Sequence, residues 1–581
     1  MQIRAANEDR MKRTLVVASL LLIVALTVTG SAFAPQAAAR NKPSCDSLAG
    51  LAIAPAFIGL PTTGATVTSA ALVGASPQAV NGERAVLAIP EYCKVVGSIS
   101  PVDPSAPKIN FQVNLPTSWN RKLAQLGGSG NNGVIPVALT TGMQWGPESI
   151  PPNAPYALSR GFVVYGSDSG HQTSGGGRGA GADAPAGPPP PDWTANDEAF
   201  TNFAFAQMKK THDVAVTLVA KFYGEAIRRS YYLGSSQGGR EALIVVQRFP
   251  QDYDGVFAQV PAHAYVHLSI GDPLARAKSQ AGDGWIPPAK VAIVGKEVLR
   301  QCDALDGIED GLVSNYLACN RKFDPAVTPN PLSAVRCPDG TDTGTTCLSD
   351  PQILAANAVH ASVSYPFPLE KGWRSFAGWP TGSESSANWK TLQTKPTAAT
   401  NFGVLRTRIV RDPAANLLDV DLATYAKELQ QLSATIDATD PDLSAFKRRG
   451  GKLIMKVNTT DYTVNPRWVM DYFDKIEQTM GKSVVNEFLR FYVAVGIFHN
   501  RNVGRNPVTN ALVPAYVDFI TMLDDWVEHG RTPADTQVLS DMDTVPPFTV
   551  HATFPMCRYP MYPRYHGKGD PKAAGSYACT R

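Results

Sequence analysis

The sequence contains no C-x-x-C anywhere in its 581 residues, which removes a zinc knuckle and a dithiol redox centre from the functions open to it. Charge is sparse as well. Asp, Glu, Lys and Arg make up 18% of the chain and balance to a formal +3, too little to build the basic face that a nucleic-acid backbone requires. No repeat period appears, so a solenoid is excluded. The longest apolar run, residues 15–28, falls short of the roughly 20 residues that span a bilayer, and nothing behind it stops transfer.

What is present is material for a large core: 44% of the residues are hydrophobic, the composition of a globular protein. The N-terminus sets Lys12 and Arg13 before the apolar run and small residues after it, ending in AFA and AAA ahead of Arg40. Basic, then apolar, then small is the order of a secretory signal. Pro35 disfavours cleavage directly after Ala34, so the signal is expected over residues 1–39, with Met11 an alternative start to Met1. An N-terminal membrane anchor is the competing reading. The mature protein is then periplasmic or secreted, without stable membrane association. Eight cysteines follow the signal: Cys45, Cys93, Cys302, Cys319, Cys337, Cys347, Cys557 and Cys579. An even count in an exported chain suggests disulfides, whose pairing spacing alone does not fix.

From about residue 85 to 260, short β-branched runs alternate with helical stretches, the pattern of an α/β core. FVVYGSDSG (162–170) and RRSYYLG (228–234) read as strands and GREALIVVQRF (239–249) as a helix. Between the last two lies Gly234-Ser235-Ser236-Gln237-Gly238, a G-x-S-x-G with Ser236 at its centre. Strand, tight turn and helix are the context in which that motif becomes a nucleophile elbow. A serine hydroxyl needs an imidazole within reach, itself oriented by a carboxylate. Asp461, after the strand KLIMKVN, and His499, after RFYVAVGIF, supply them in the order Ser, Asp, His. His529 at a helix end, His263 and His267 too early in the chain, and Asp471 and Asp474 on the solvated face of a helix are the weaker candidates. Oxyanion donors are expected from the N–H of Gln237 and from the glycine-rich stretch QLGGSGNNG (125–133), at Gly128 or Gly130.

Residues 265–448 break the alternation and read as an inserted subdomain. They hold an acidic turn, CDALDGIEDGL, that is equally a metal site or a solvated loop, and its spacing is not that of an EF-hand. They also hold Trp285, Trp373, Phe376, Trp379, Trp389 and Phe402, mostly expected to pack the insert itself. Arg406, Arg408 and Arg411 are candidates for holding a substrate carboxylate.

Together, GSSQGGRE at the elbow, LGGSGNNG (126–133), SDSGH (167–171), CDALDGIEDGLVSN (302–315) and WVEHGRTP (526–533) resemble the tannase and feruloyl esterase family, over most of the chain from about Cys45 onward. The resemblance implies an α/β-hydrolase core, residues 40–264 and 449–581, with a large lid domain at 265–448. It places the triad on Ser236, Asp461 and His499 and the activity on small-molecule esters of phenolic or aromatic acids. It implies a structural Ca2+ in the lid, held by Asp303, Asp306, Asp310 and the carbonyls of Ile308 and Leu312, and no organic cofactor. It also implies the pairs Cys45–Cys93, Cys302–Cys319, Cys337–Cys347 and Cys557–Cys579. One feature departs from the family: the cysteines that usually sit before the nucleophile and after the histidine are Ser235 and Asn500 here, and a hydrogen bond between them is expected in place of a disulfide. An esterase for aliphatic or hydroxyalkanoate esters, and an inactive calcium-stabilised binding protein, are the alternatives.

Overall fold

The computed structural model describes residues 44–137, 150–172, 193–382, 384, 395–396, 403–412, 414–499 and 504–581. The signal segment 1–39, Trp389, Phe402 and Asn500 lie outside the described residues.

Twelve strands form one sheet. In chain order they are β1 (Ala52–Ile53), β2 (Gly64–Val73), β3 (Tyr92–Ser100), β4 (Ile109–Pro116), β5 (Lys122–Leu126), β6 (Val163–Ser167), β7 (Arg229–Ser235), β8 (Gly255–Gln259), β9 (Lys452–Asn458), β10 (Leu489–Ala494), β11 (Thr536–Met542) and β12 (Val550–Arg558). Across the sheet they run β1, β2, β3, β4, β6, β5, β7, β8, β9, β10, β12, β11. The stretch from β6 to β10 is parallel throughout. Its strands are covered on both faces, which is why GVFAQ and LRFYVA are buried at every position and show no alternation. The flanks are antiparallel. In β2 the buried positions are interrupted by exposed ones along much of its length, as expected of a strand with one wet face.

Helices α1 (Gln207–Tyr223), α2 (Gln237–Arg248), α6 (Pro466–Met480) and α7 (Phe519–His529) flank the sheet; α1, α6 and α7 turn an apolar stripe inward, while α2 is buried on every side from Gln237 to Val246. The chain leaves the sheet at Gln259 and returns at Lys452. The excursion contains α3 (Pro288–Cys302), α4 (Asp350–His360) and α5 (Ala426–Ile436), and among its described residues the only strands are a two-residue pair, Val363–Ser364 with Ser375–Phe376. Trp373, Phe376 and Trp379 are buried in this insert. Phe376 stacks on His267 with ring centroids 4.1 Å apart, and Trp379 stacks on Tyr462 at 4.9 Å. The Trp379 indole donates to Asp272 and the Trp373 indole to the Thr439 carbonyl. These rings are the insert's core, while Trp285 is half-buried with Lys395 over its face.

All eight cysteines are paired, Cys45–Cys93, Cys302–Cys319, Cys337–Cys347 and Cys557–Cys579.

Candidate active site

Ser236 is the hinge between β7 and α2, and its backbone is held at φ 61°, ψ −118°. A side chain at such angles is strained, and it persists only where the surroundings over-determine it. Here the glycines do so. A Cβ on Gly234 would run into the Gly238 carbonyl, and one on Gly238 would meet the Gly128 carbonyl at 2.7 Å. Strand, elbow and neighbouring loop approach too closely for any side chain at either position. The Ser236 N–H is tied to the Gln259 carbonyl at 2.9 Å, and its carbonyl accepts from Arg240 and Ala262.

Asp461 and His499 stand in the loops after β9 and β10, beside the elbow because those strands follow β7 and β8 in the sheet. Asp461 is fully buried. Its Oδ1 accepts from the N–H groups of Thr463 and Val464 at 2.8 and 2.9 Å, which turns Oδ2 toward His499 Nδ1 at 2.7 Å. His499 Nε2 lies 2.9 Å from Ser236 Oγ. With the ring proton on Nδ1 facing the carboxylate, Nε2 is left to accept from the serine hydroxyl. The insert braces this arrangement, since Tyr462 donates to Pro380 O and Trp468 to Ala377 O, both at 2.7 Å.

Gln237 is the first residue of α2, so its N–H has no partner within the helix and points out at the helix mouth. Of the two glycines expected to complement it, Gly128 needs correction: its N–H donates to Glu241 Oε2 at 2.9 Å and is therefore committed to a carboxylate. Gly130 stands at φ 56° with nothing within 4 Å of the place a Cβ would take.

The other histidines are placed elsewhere. His529 ends α7. His263 and His267 are fully buried, His263 stacked on Tyr472 and His267 wedged among Phe376, Trp468 and Tyr365. Burial pushes His263 down to about 4 and His267 well below the usual imidazole range. Asp471 and Asp474 are not on a solvated face. Both are half-buried on α6; burial pushes Asp471 up to about 6, and Asp474 accepts from the Tyr559 hydroxyl at 3.0 Å. The arginine cluster is engaged within the protein: Arg406 donates to Asp412 O and Ala415 O at 3.2 Å, Arg408 to Thr194 O and the Asp197 carboxylate, and Arg411 to Arg408 O.

In the acidic turn, Gly307 and Gly311 take φ 98° and 83° and fold the three aspartates onto one another. Asp303 accepts from the N–H groups of Asp310 and Gly311, and Asp310 from that of Leu312. Asp306 is fully buried, with Oδ2 lacking any hydrogen-bond partner, and Ser314 Oγ beside it is likewise buried and unpartnered. Burial, then the neighbouring carboxylates, pushes Asp306 up to about 7 and Asp310 to about 6. Crowded carboxylates with an orphaned buried oxygen are the donor chemistry of a hard cation. Among the described residues no group of three His, Cys, Asp or Glu side chains forms a ready metal cage, so a cation here would lean on backbone carbonyls as well.

Two residues of the elbow motif that sequence reading left without a role are Arg240 and Glu241, both fully buried. Arg240 donates to Phe203 O, Ala204 O and, on the insert, Ile436 O. The available signal was a charged pair in the first turns of a helix otherwise apolar on its inner side.

Residues 93–580 match the model of the family described as tannase and feruloyl esterase. An esterase of Agrobacterium fabrum is 36% identical over 99% of this chain and 100% of its own length. The mono(2-hydroxyethyl) terephthalate hydrolase of Piscinibacter sakaiensis is 29% identical, covering 87% of this chain and 88% of its own. The crystal structure of an esterase from Aspergillus oryzae superposes with a TM-score of 0.71 at 22% identity, over 92% of this chain and 100% of that one, a likeness of fold. The chain belongs to the tannase and feruloyl esterase family and is a carboxylic ester hydrolase with an α/β-hydrolase fold.

Proposed function

We propose that the protein is an exported serine esterase that hydrolyses small-molecule esters of phenolic or aromatic acids through an acyl-enzyme on Ser236. The observation that carries this is the unbroken chain Ser236 Oγ, His499, Asp461, with separations of 2.9 and 2.7 Å. Ser236 Oγ attacks the acyl carbon while His499 Nε2 takes its proton; the tetrahedral oxyanion forms against the Gln237 N–H and an N–H of the loop around Gly130. His499 then returns the proton to the leaving alcohol, and the same residues activate water against the acyl-enzyme. Asp461 keeps the ring in the productive tautomer and orientation. The aromatic acyl class is supported by family membership and by the terephthalate-ester activity named for the Piscinibacter relative. Export is supported by the leader-like N-terminus and by the pairing of every cysteine.

The acidic turn fits a structural Ca2+, which Asp303, Asp306, Asp310 and the carbonyls of Ile308 and Leu312 would hold. Bound there, it would neutralise the crowded carboxylates and pin the turn, a stabilising role away from the chemistry.

The test is hydrolysis of methyl ferulate, methyl gallate, mono(2-hydroxyethyl) terephthalate and p-nitrophenyl butyrate by the mature protein, with Ser236→Ala as control. Turnover of at least one aromatic ester, lost in the variant, is expected. Turnover of the butyrate alone would replace the acyl class with an aliphatic one. A folded protein inert on all four and unlabelled by a fluorophosphonate would overturn the esterase assignment in favour of a binding role.

A further inference from the structure

Beside the elbow, the glycine-rich loop and the strand that leads into Ser236 meet at one buried carboxylate. Glu241, one turn into α2, is fully buried and accepts three hydrogen bonds while donating none. Its Oε2 receives the Gly128 N–H at 2.9 Å and the Tyr232 hydroxyl at 2.8 Å. Its Oε1 receives Asn132 Nδ2 at 2.6 Å, and the same amide nitrogen reaches Ser169 Oγ at 2.6 Å. Gly128 and Asn132 lie toward the two ends of the glycine-rich loop; Tyr232 is on β7, which leads into the nucleophile; Ser169 is in the segment after β6. Asn132 sits at φ 61°, and its carboxamide lies against the Gly128 Cα so closely that a Cβ there would collide with it. The loop is thereby closed on itself and pinned at both ends to a single side chain of the nucleophile's own helix.

We propose that Glu241 is a positioning residue for the oxyanion loop: by holding Gly128 and Asn132 it fixes the height of the intervening turn, Gly130 included, over Ser236. The arrangement explains why Gly128 is a glycine although its N–H does not face the reacting centre. It also explains a carboxylate buried beneath an active site yet outside the Ser236, His499, Asp461 chain. Charge-assisted bonds from a rigid helix are short and directional. A loop amide displaced by about 1 Å loses most of its hold on a developing oxyanion, a cost on the order of 10²-fold in rate.

The inference rests on Ser236 being the nucleophile, and the experiment separates the two. The full-length mature enzyme is compared with Glu241→Gln, Asn132→Gly and Ser236→Ala on whichever ester the wild type turns over. Glu241→Gln keeps the shape but must present an amide NH2 to at least one of the existing donors. Asn132→Gly tolerates the positive φ and removes the far tether to Glu241 together with the contact to Ser169. For Glu241→Gln, kcat is expected to fall about 10²-fold with KM within about twofold of wild type. Affinity for a boronic-acid mimic of the tetrahedral state should fall in parallel, and inhibition by the product acid should be unchanged. Asn132→Gly should move the same quantities by about tenfold, and it decides the matter if Glu241→Gln does not fold. Unchanged kcat and boronate affinity in the folded variants, with Ser236→Ala inactive, would refute the positioning role alone. Equal losses of boronate and product-acid affinity would also refute it, since that pattern marks a collapsed pocket. Hydrolysis surviving in Ser236→Ala would sink the nucleophile and this proposal together.

Discussion

At Ser236 the backbone is held where an L-residue rarely rests, and the two flanking glycines are the means. Gly234→Ala keeps a small residue but places a methyl against the Gly238 carbonyl, so the elbow must open. Overpacking of this kind typically costs about 1–3 kcal/mol and here also moves the nucleophile. We expect a lowered denaturation midpoint by urea titration together with loss of esterase activity, whereas a variant equal to wild type in both would show that the turn is not sterically closed. A second residue-scale expectation concerns His212, buried on α1 with Tyr165 Oη 2.7 Å from its Nδ1. Burial pushes this imidazole down to about 4 from its ordinary 6.5. The unfolded chain therefore takes the proton first, and stability that is present above pH 6.5 is lost as the pH falls toward 4. The span corresponds to about 3 kcal/mol at most. Because other buried groups titrate in the same window, the measurement is a difference: wild type should lose stability relative to His212→Gln as the pH drops from 7 to 4. A constant gap across that range would contradict it.

The element whose behaviour is most open to test is the turn between Cys302 and Cys319. The disulfide spans 17 residues and already limits how far the three aspartates can separate. A cation would satisfy the buried Asp306 Oδ2 that the protein leaves without a partner. Dialysis against a chelator is expected to lower the melting temperature by several degrees, with calcium restoring it and Asp306→Asn abolishing the response. A melting temperature and bound-metal content indifferent to chelator would mean that the turn is held by its backbone hydrogen bonds alone. Elements of this kind also mark how far sequence reading went. The strand before Ser236, the helix after it and the strands before Asp461 and His499 were legible because buried parallel strands leave uninterrupted apolar runs and helices leave a 3.6-residue stripe. The oxyanion loop was legible only as a glycine-rich turn. Which N–H faces the site depends on Glu241 and Asn132, contacts made across 113 and 37 residues that no local pattern announces. Asp471 and Asp474 were misread for a related reason: the polar side of α6 is covered by chain that comes from far away, including Tyr559.

For the whole molecule, the central parallel strands and the inserted segment followed from alternation and its interruption, and the antiparallel additions at both edges did not. Strands β1 to β3 carry mixed polar and small residues, Thr66, Ser69 and Gly97 among them, and their pairing is set by neighbours across the sheet rather than by their own composition. The same long-range assembly governs the site. Ser236 and His499 are 263 residues apart in sequence, with the insert and two disulfides between them. On the proposed mechanism a growing chain carries no competent nucleophile until residue 499 has been made, and a fragment ending before it is expected to be inert on esters. On the same reading, ester hydrolysis becomes a reporter of complete folding, because it requires both ends of the split core to have met.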